Sequence, residues 1–346
     1  MRAILLSGFI CLGLSCGTTP VGGDDAGAGG GAAAGGGTAV GGGTAAGGGT
    51  AASSIPRVFV IAMENKNEAA VYANAAATYI NGTLMVNYAY ATAYGDCVST
   101  AIPSEPHYVW LEASTNVFSD WIFLLDTEPS KTNSTTSTEH LATQLTAANK
   151  TWRSYQEGLD VSTTGACPIH GAGAYAPKHD PFVFFTDVAG NPPAVDNAFC
   201  AAHHKPFSAF AADLSAGDVA QYTFITPNLC NDMHGDSSCT NGCTSGSSAA
   251  CISAGDAWLA ATVPAIIAYM NAHGGVLFIV WDEPENNATQ PFLVVGPHVK
   301  AGYGSGVSVT HSSYVKSLDE IFGLPTLAKA SAATDFSDYF EAGHFP

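Results

Sequence analysis

The sequence predicts an α/β domain whose mostly parallel β-sheet is flanked by helices. Three observations lead to this prediction: apolar runs of strand length, helix-like stretches between them, and a composition that is 47% hydrophobic. Strands that are buried on both faces of a sheet are almost continuously apolar, and their alternation with helices is typical of parallel sheets. A chain of 346 residues can form one large domain around such a sheet.

The apolar runs are rich in β-branched and aromatic residues, which favour strands. The predicted strands are residues 58–63, 222–226, 276–281 and 292–295, all expected to be parallel. Leu141 and Leu145 lie four residues apart, as on one face of a helix. The predicted helices are residues 138–150, 256–270 and 312–322. We find no internal repeat in this part of the chain, so we expect a single domain over residues 55–346.

The chain begins with features of an export signal and a tether. Arg2 precedes an apolar stretch that is too short to span a bilayer. The stretch ends in Gly-Leu-Ser-Cys16, which resembles a bacterial lipoprotein cleavage box. Residues 1–16 are therefore predicted to be a signal peptide with Cys16 as the lipidated residue, and plain secretion is the alternative. Residues 17–54 repeat Gly-Gly-Gly-Thr-Ala and are predicted to form a flexible tether.

The charge balance limits the classes of partner. The net charge of −18 argues against nucleic-acid binding and against charge-driven docking on anionic lipid. We expect no membrane-spanning segment in the domain, and membrane contact only through the N-terminal lipid anchor. The protein is predicted to be a lipoprotein of the outer membrane or cell surface, or otherwise to be secreted. An acidic enzyme that binds a phosphate ester needs local positive charge, which a divalent cation can supply.

Seven cysteines follow Cys16, and four of them lie within residues 230–251. In an exported chain they are expected to form disulfides. Metal binding is the alternative, because Cys239 and Cys243 are four residues apart, but no paired Cys/His set at zinc spacing accompanies them. An odd count leaves one thiol unpaired, and the connectivity cannot be read from the sequence.

Polar residues follow two of the predicted strands directly. Glu64 and Asn65 come after the first strand, and Asp282 and Glu283 come after the strand 276–281. Ligands of open parallel sheets bind outside the carboxyl ends of the strands. Carboxylate and amide oxygens suit a hard divalent cation, and adjacent acids repel each other unless a cation lies between them. Helix capping at the first pair and simple solvation at the second are the alternatives.

Three further positions are candidates for catalysis. Ser104 lies between two prolines, where a helix is predicted to begin. A hydroxyl at a helix N-terminus is suited to an anion, so Ser104 is a candidate nucleophile, although an N-cap serine is the alternative. His179 and His234 stand among polar residues and could protonate a leaving oxygen. His311, before a predicted helix, could act likewise, and a structural role is the alternative for each histidine.

Several motifs occur in a characteristic order. They are Glu64-Asn65-Lys66, Pro103-Ser104-Glu105-Pro106, His140-Leu141-Ala142-Thr143-Gln144-Leu145, Lys178-His179-Asp180-Pro181-Phe182, Thr226-Pro227-Asn228-Leu229-Cys230-Asn231-Asp232-Met233-His234, Gly255-Asp256-Ala257-Trp258-Leu259 and Trp281-Asp282-Glu283. With these motifs the chain resembles, over about residues 57–330, the bacterial phosphoesterase family of acid phosphatases and phospholipases C. The likeness is strongest to the shorter acid phosphatases, some of which are described as phosphatidylinositol-3-phosphatases.

The resemblance implies an alkaline-phosphatase-like fold and a role for each motif. It assigns Ser104 as the nucleophile that forms a phosphoserine. The implied metal site consists of Glu64, Asn65, Ser104 and Asp282, and holds one divalent ion. Residues around the phosphate would be Glu283, His179 and His234. Beyond what the resemblance implies, His107, Lys178 and His311 are further candidates for contacts with the substrate. The metal's identity stays open, because oxygen ligands suit Ca²⁺, Mg²⁺ or Mn²⁺ and a nearby histidine also admits Zn²⁺.

Two departures from the family pattern affect the expected function. His107 stands where the family usually has asparagine, and Ile102 stands where it often has histidine. The leading hypothesis is a metal-dependent phosphomonoesterase that acts on a small phosphate ester or a phospholipid head group. The alternatives are a phospholipase C-type phosphodiesterase and a surface lipoprotein that has kept the fold without turnover.

Overall fold

The computed structural model describes residues 55–246, 249–327 and 329–346. The predicted signal peptide, Cys16 and the predicted tether lie outside the described residues. The strands are β1 (Val58–Met63), β2 (Ala89–Ala91), β3 (Tyr94–Gly95), β4 (Trp152–Gln156), β5 (His204–Pro206), β6 (Tyr222–Thr226), β7 (Val276–Trp281), β8 (Phe292–Val295), β9 (Tyr303–Ser305) and β10 (Val309–Thr310).

Helices connect and cover these strands. The α-helices are α1 (Glu68–Val71), α2 (Met85–Asn87), α3 (Ser104–Ala113), α4 (Leu141–Ala147), α5 (Val161–Thr164), α6 (Thr186–Ala189), α7 (Ala198–His203), α8 (Phe210–Ala216), α9 (Ala249–His273) and α10 (His311–Phe322). Shorter 3₁₀ turns cover Pro177–His179, Pro181–Phe184, Phe207–Ala209 and Ser337–Tyr339, and Ile80–Leu84 is a π-helical turn.

The main sheet has eight strands in the order β5-β4-β6-β1-β7-β8-β2-β9, and β3 pairs with β10 separately. Its pairs are parallel except those that β8 makes with β7 and β2. The predicted α/β fold with a mostly parallel sheet is therefore confirmed, as are all four predicted strands. The expectation that residues 292–295 run parallel is wrong. The connection 282–291 is shorter than the roughly a dozen residues that a parallel crossover needs, so β8 returns antiparallel.

Both faces of the sheet are buried, which explains the continuous apolar runs. Alternate residues of β1 point to opposite faces: Val58, Val60 and Ala62 join one core cluster, whereas Phe59 and Ile61 join the other. Residues of α3, α4 and α10 pack in the first cluster, and those of α8 and α9 pack in the second.

The predicted helices are present with altered bounds. The predicted helix 138–150 is shorter, since α4 ends before Asn149, whose φ of 56° is left-handed. The predicted helix 256–270 is longer, and as the 25-residue α9 it is long and apolar enough to cross a membrane by length and composition. That corrects the expectation that no segment of the domain would pass this test. Half of its most apolar window is buried, because α9 covers the sheet.

Disulfides form, as predicted, among the cysteines. They join Cys167 to Cys200, Cys230 to Cys239 and Cys243 to Cys251. The proposed metal alternative at Cys239 and Cys243 is therefore wrong, because each of these sulfurs is bonded to another cysteine. Cys97 is disulfide-bonded as well. The expectation of one unpaired thiol is also wrong, because an odd count over part of a chain does not establish a free thiol.

Candidate active site

The carboxyl ends of β1 and β7 bring two predicted acids together. Met63 pairs with Trp281 across these parallel strands, so Glu64 and Asp282 leave the sheet side by side. The N–H of Asp282 donates to the Met63 carbonyl (3.0 Å), and the N–H of Asn65 donates to Asp282 Oδ1 (3.0 Å). Asn65 adopts a left-handed conformation with φ 46°, which asparagine tolerates better than most residues. These backbone bonds hold the two loops in one arrangement.

Ser104 lies between the ends of these strands. It is the first residue of α3, where Pro103 is the N-cap, and only 3% of its surface is exposed. Its hydroxyl oxygen lies 3.3 Å from Glu64 Oε2 and 3.3 Å from Glu283 Oε1. A hydroxyl has one proton, so it donates to one of these carboxylates at a time. Both are placed to orient the serine oxygen and to accept its proton.

His179 is held by two carboxylates and an aromatic ring. Its Nε2 lies 2.8 Å from Glu64 Oε1, and its Nδ1 lies 3.5 Å from Asp232 Oδ2. The Tyr108 ring stacks on the imidazole with a centroid distance of 4.9 Å. Burial alone would lower the pKa of His179, but the charge of Glu64 and the hydrogen bonds to Asp232 and Glu64 together outweigh it and raise that pKa to about 9. At Glu64 burial is likewise outweighed, by the charge and hydrogen bond of His179 together with the charges of His234 and Lys178, and the pKa of that carboxyl is lowered.

His107 forms a second buried link to the serine. Its Nδ1 lies 2.7 Å from Asp96 Oδ2, and its Nε2 lies 3.5 Å from Glu283 Oε2 and 3.1 Å from the Ile102 carbonyl. Burial would lower the pKa of His107, but the hydrogen bond and charge of Asp96 raise it. Burial raises the pKa of Glu283 to about 7, although His107 partly opposes this rise. Asp96, His107 and Glu283 therefore form a chain of contacts that ends at Ser104.

The residues predicted to bind metal fit a hard cation. Asp282 Oδ2 is buried and has no hydrogen-bond partner within the described part of the chain. Burial, and then the charge of Glu64, raises the pKa of Asp282 well above its usual value. The same pocket offers oxygens of Glu64, Asn65 and Ser104, and Asn65 Nδ2 contacts Glu64 Oε2. Buried acids that disfavour each other's ionisation are suited to a divalent cation, which would remove that repulsion.

A second group of ligand atoms lies nearby. Those of Asp96, His107 and His311 are all within 4.8 Å of one another. His311 Nδ1, however, faces the Tyr94 hydroxyl at 2.9 Å, and its Nε2 contacts the Asp282 carbonyl. Both nitrogens of His311 are thus engaged, and burial lowers its pKa to about 4. This histidine therefore holds the backbone of Asp282 in place through its contact with the Asp282 carbonyl.

The remaining candidates lie at different distances from the serine. The His234 ring is 6.1 Å from that of His179, and its Nδ1 contacts the Gly235 carbonyl. The backbone N–H of His234 donates to Asp232 Oδ1 (2.7 Å). Lys178 directly precedes His179 and pairs with Asp126. These two residues surround the central group without contacting Ser104.

Three residues of the site were not selected from the sequence: Asp232, Asp96 and Tyr108. Asp232 lies in the motif around His234, and its position two residues before that histidine was the available signal. Tyr108 belongs to the serine motif, four residues after Ser104 and hence on the same helix face. Asp96 follows the two-residue strand β3 and has no apolar run before it.

Comparisons with known proteins show which proteins the chain is similar to. A family model described as the Phosphoesterase family matches residues 57–287. A phosphatidylinositol-3-phosphatase of Mycobacterium tuberculosis is 28% identical over 81% of this chain and 81% of its own length. A phosphate-repressible acid phosphatase of Penicillium chrysogenum is 29% identical over 51% of this chain and 40% of its own length.

One solved structure shares the fold at low sequence identity. The phosphonate monoester hydrolase of Silicibacter pomeroyi superposes with a TM-score of 0.50 at 9% identity, covering 83% of this chain and 76% of that chain. The residues placed around Ser104, from Glu64 to Glu283, all fall within the range matched by the family model.

Proposed function

We propose, since this chain belongs to the Phosphoesterase family, that it is a metal-dependent phosphomonoesterase in which Ser104 attacks phosphorus. Its relatives already indicate a phosphoester hydrolase that is similar to acid phosphatases. The serine mechanism is supported by the position of the Ser104 hydroxyl, which lies 3.3 Å from a carboxylate oxygen of Glu64 and 3.3 Å from one of Glu283. Asn65, which follows Glu64, is held to the Asp282 carboxylate by its backbone N–H.

The proposed cation site consists of Glu64, Asn65, Ser104 and Asp282. Asp282 Oδ2 supplies a buried oxygen that has no partner in the described residues, and a turn of the Asn65 amide would exchange its nitrogen for its oxygen. When bound, a divalent cation would lower the pKa of the serine hydroxyl and neutralise charge on the phosphoryl oxygens.

In the first proposed step, the Ser104 oxygen forms a bond to phosphorus while the ester P–O bond breaks. Glu283, whose pKa is raised to about 7, accepts the serine proton at Oε1. The leaving alkoxide takes a proton from His179 or His107, the two buried histidines of the site. Water then attacks the phosphoserine, which restores Ser104 and releases inorganic phosphate.

The proposed substrate class is a phosphomonoester on a lipid head group. The Mycobacterium tuberculosis relative is named a phosphatidylinositol-3-phosphatase and aligns over 81% of both chains. A head-group phosphate is the part of such a lipid that reaches out of a bilayer and into a surface site. Small phosphomonoesters share this reacting group and serve as assay substrates.

We also infer that residues 1–16 direct export and that Cys16 carries the lipid that retains the protein at the cell surface. The support is the apolar stretch that ends in Gly-Leu-Ser-Cys16 and the glycine-rich segment after it. Mass spectrometry of the N-terminal peptide of the mature protein tests this inference. A peptide that begins at an acylated Cys16 supports it, and a peptide that retains Met1 contradicts it.

The test of the proposed reaction is hydrolysis of p-nitrophenyl phosphate by Ser104→Ala, with the exposed Ser208→Ala as the matched control. We expect activity of Ser104→Ala to fall by at least about a thousandfold, with unchanged circular dichroism, while the control retains wild-type activity. EDTA should abolish wild-type activity, and a divalent ion should restore it. Undiminished hydrolysis by Ser104→Ala would exclude the serine mechanism. Faster hydrolysis of p-nitrophenylphosphorylcholine would favour the diesterase alternative.

A further inference from the structure

A hairpin beside the active site exposes aliphatic side chains. Across the described residues, eight large hydrophobic side chains are at least 38% exposed. Four of the eight lie within residues 117–125, which we name the apolar hairpin: Val117 (52%), Ile122 (49%), Leu124 (48%) and Leu125 (65%). Scattered exposed aliphatic residues are normal on a protein surface, but such a concentration marks an interaction surface.

The apolar hairpin is fixed to the domain by its other residues. Val117 and Ile122 form an antiparallel bridge, and the Phe118 N–H donates to the Trp121 carbonyl (2.8 Å). Phe123 is fully buried, and its ring lies 5.8 Å from Phe118 and 5.7 Å from Phe184 between centroids. The aromatic side chains thus anchor the hairpin in the core, so the exposure of the aliphatic ones follows from an ordered local structure.

The apolar hairpin ends at the rim of the active site. Asp126 directly follows Leu125, and its Oδ1 accepts a hydrogen bond from the Glu105 N–H (2.9 Å). Asp126 also pairs with Lys178, which precedes His179. Leu124 and Leu125 are therefore within two residues of a side chain that contacts the first turn of α3, the helix that carries Ser104. A partner that binds these leucines therefore lies next to the first turn of α3, which begins at Ser104.

We propose that the apolar hairpin inserts into the interfacial region of a lipid bilayer and holds the active site at head-group level. This inference rests on the proposed function, because it explains how a buried serine would meet a phosphate on a lipid. Aliphatic side chains with a nearby tryptophan are the composition that binds membrane interfaces. The apolar hairpin would then be a second membrane contact, in addition to the N-terminal anchor expected from the sequence.

Charge favours lipid over a second copy of the chain as the occupant. Each copy has a net charge of −18, so pairing two hairpins would bring like-charged molecules together. The same charge disfavours an anionic surface, and the binding energy must come from apolar burial. The expected partner is therefore a bilayer made mostly of zwitterionic lipid, in which the phosphoester is a minor component.

The test measures flotation with phosphatidylcholine vesicles in the absence of substrate turnover. The full chain carries Cys16→Ser, so that an acyl group cannot be attached there. Leu124→Ser with Leu125→Ser removes the most prominent part of the hairpin. Val86→Ser with Val161→Ser is the matched control, because these valines are 59% and 55% exposed elsewhere on the surface. We expect the leucine variant to bind vesicles about tenfold more weakly, and the control to bind as the parent does.

Hydrolysis of p-nitrophenyl phosphate separates this inference from the proposed function. The leucine variant should keep its turnover of this soluble substrate and lose turnover of a phosphoinositide held in phosphatidylcholine vesicles. Equal vesicle binding by the parent and the leucine variant overturns the inference, as does an equal loss in the valine control. If the parent chain does not bind vesicles but forms a dimer that depends on the two leucines, the inference is overturned in favour of self-association. Vesicle binding itself stays measurable even if Ser104 is not the nucleophile.

Discussion

Glu105→Gln should stabilise the protein at neutral pH, although it alters a buried residue next to the nucleophile. Glu105 Oε2 accepts hydrogen bonds from the Thr127 N–H (2.8 Å) and from Asn133 Nδ2 (3.0 Å). Its Oε1 is buried without a hydrogen-bond partner in the described residues. Burial raises the pKa of Glu105 from 4.5 to about 8, in spite of the two hydrogen bonds.

The sign of the effect follows from this raised pKa. The folded protein holds a proton on Glu105 that the unfolded chain releases above pH 4.5, so the contribution of Glu105 to stability is full below that pH and is lost as the pH rises towards 8. At neutral pH the decline amounts to about 3 kcal/mol, and relaxation around the carboxyl reduces it to about 1–3 kcal/mol. Glutamine keeps the shape and the accepting oxygen but has no proton to release, so Glu105→Gln should lack this decline.

Urea unfolding at about pH 4 and about pH 7 measures the difference. We expect the free energies of unfolding of wild type and Glu105→Gln to agree at the lower pH, and the variant to be more stable at the higher pH. The exposed Glu139→Gln is the matched control and should change stability by less than about 0.5 kcal/mol. A Glu105→Gln protein that is less stable than wild type at both pH values would show that the buried Glu105 carboxyl does not lower stability at neutral pH.

Three further predictions concern the metal site, the histidine substitution and the disulfides. Asp282→Asn should lower phosphatase activity at least about 100-fold without lowering the melting temperature in EDTA, because burial raises the pKa of Asp282 and so disfavours its charged form when no cation is bound. The pKa of His107 is raised because Asp96, Glu283 and the Ile102 carbonyl together outweigh burial, so the kcat/KM of wild type should decline as His107 loses its proton at a pH above its usual pKa of 6.5. His107→Asn should lack this decline, and an unchanged pH profile would contradict the role given to His107. Replacing Cys167 and Cys200 by alanine opens a loop with a sequence separation of 33 and should lower the free energy of unfolding by about 4 kcal/mol in urea; an unchanged midpoint would contradict this.

The acids on the central strands could be predicted from the sequence because of how parallel sheets are buried. Val58–Met63 and Val276–Trp281 are apolar throughout, since helices cover both faces of the sheet. Each run ends abruptly in an acid, so Glu64 and Asp282 could be assigned to one edge. Parallel pairing in register then brings them together without any further information from the loops.

Other parts of the fold and the site leave no comparable pattern in the sequence. The run Phe292–Val295 is equally apolar in either direction, and only the short connection before it determines that it runs antiparallel. The contact of Asp96 with His107 joins the end of β3 to helix α3, and the contact of Asp232 with His179 joins two segments that are distant in sequence. Such contacts depend on the packing of the loops and have no periodicity that a sequence could reveal.

The most direct test of the account is to locate the transferred phosphate during turnover. Metal-loaded protein is mixed with p-nitrophenyl phosphate and quenched rapidly in acid, and its peptides are analysed by mass spectrometry. If Ser104 is the nucleophile, phosphate is found on the peptide that contains Ser104, and none is found after EDTA treatment or in Ser104→Ala. Steady hydrolysis with phosphate on another residue, or with unmodified Ser104 under every quench condition, would contradict it.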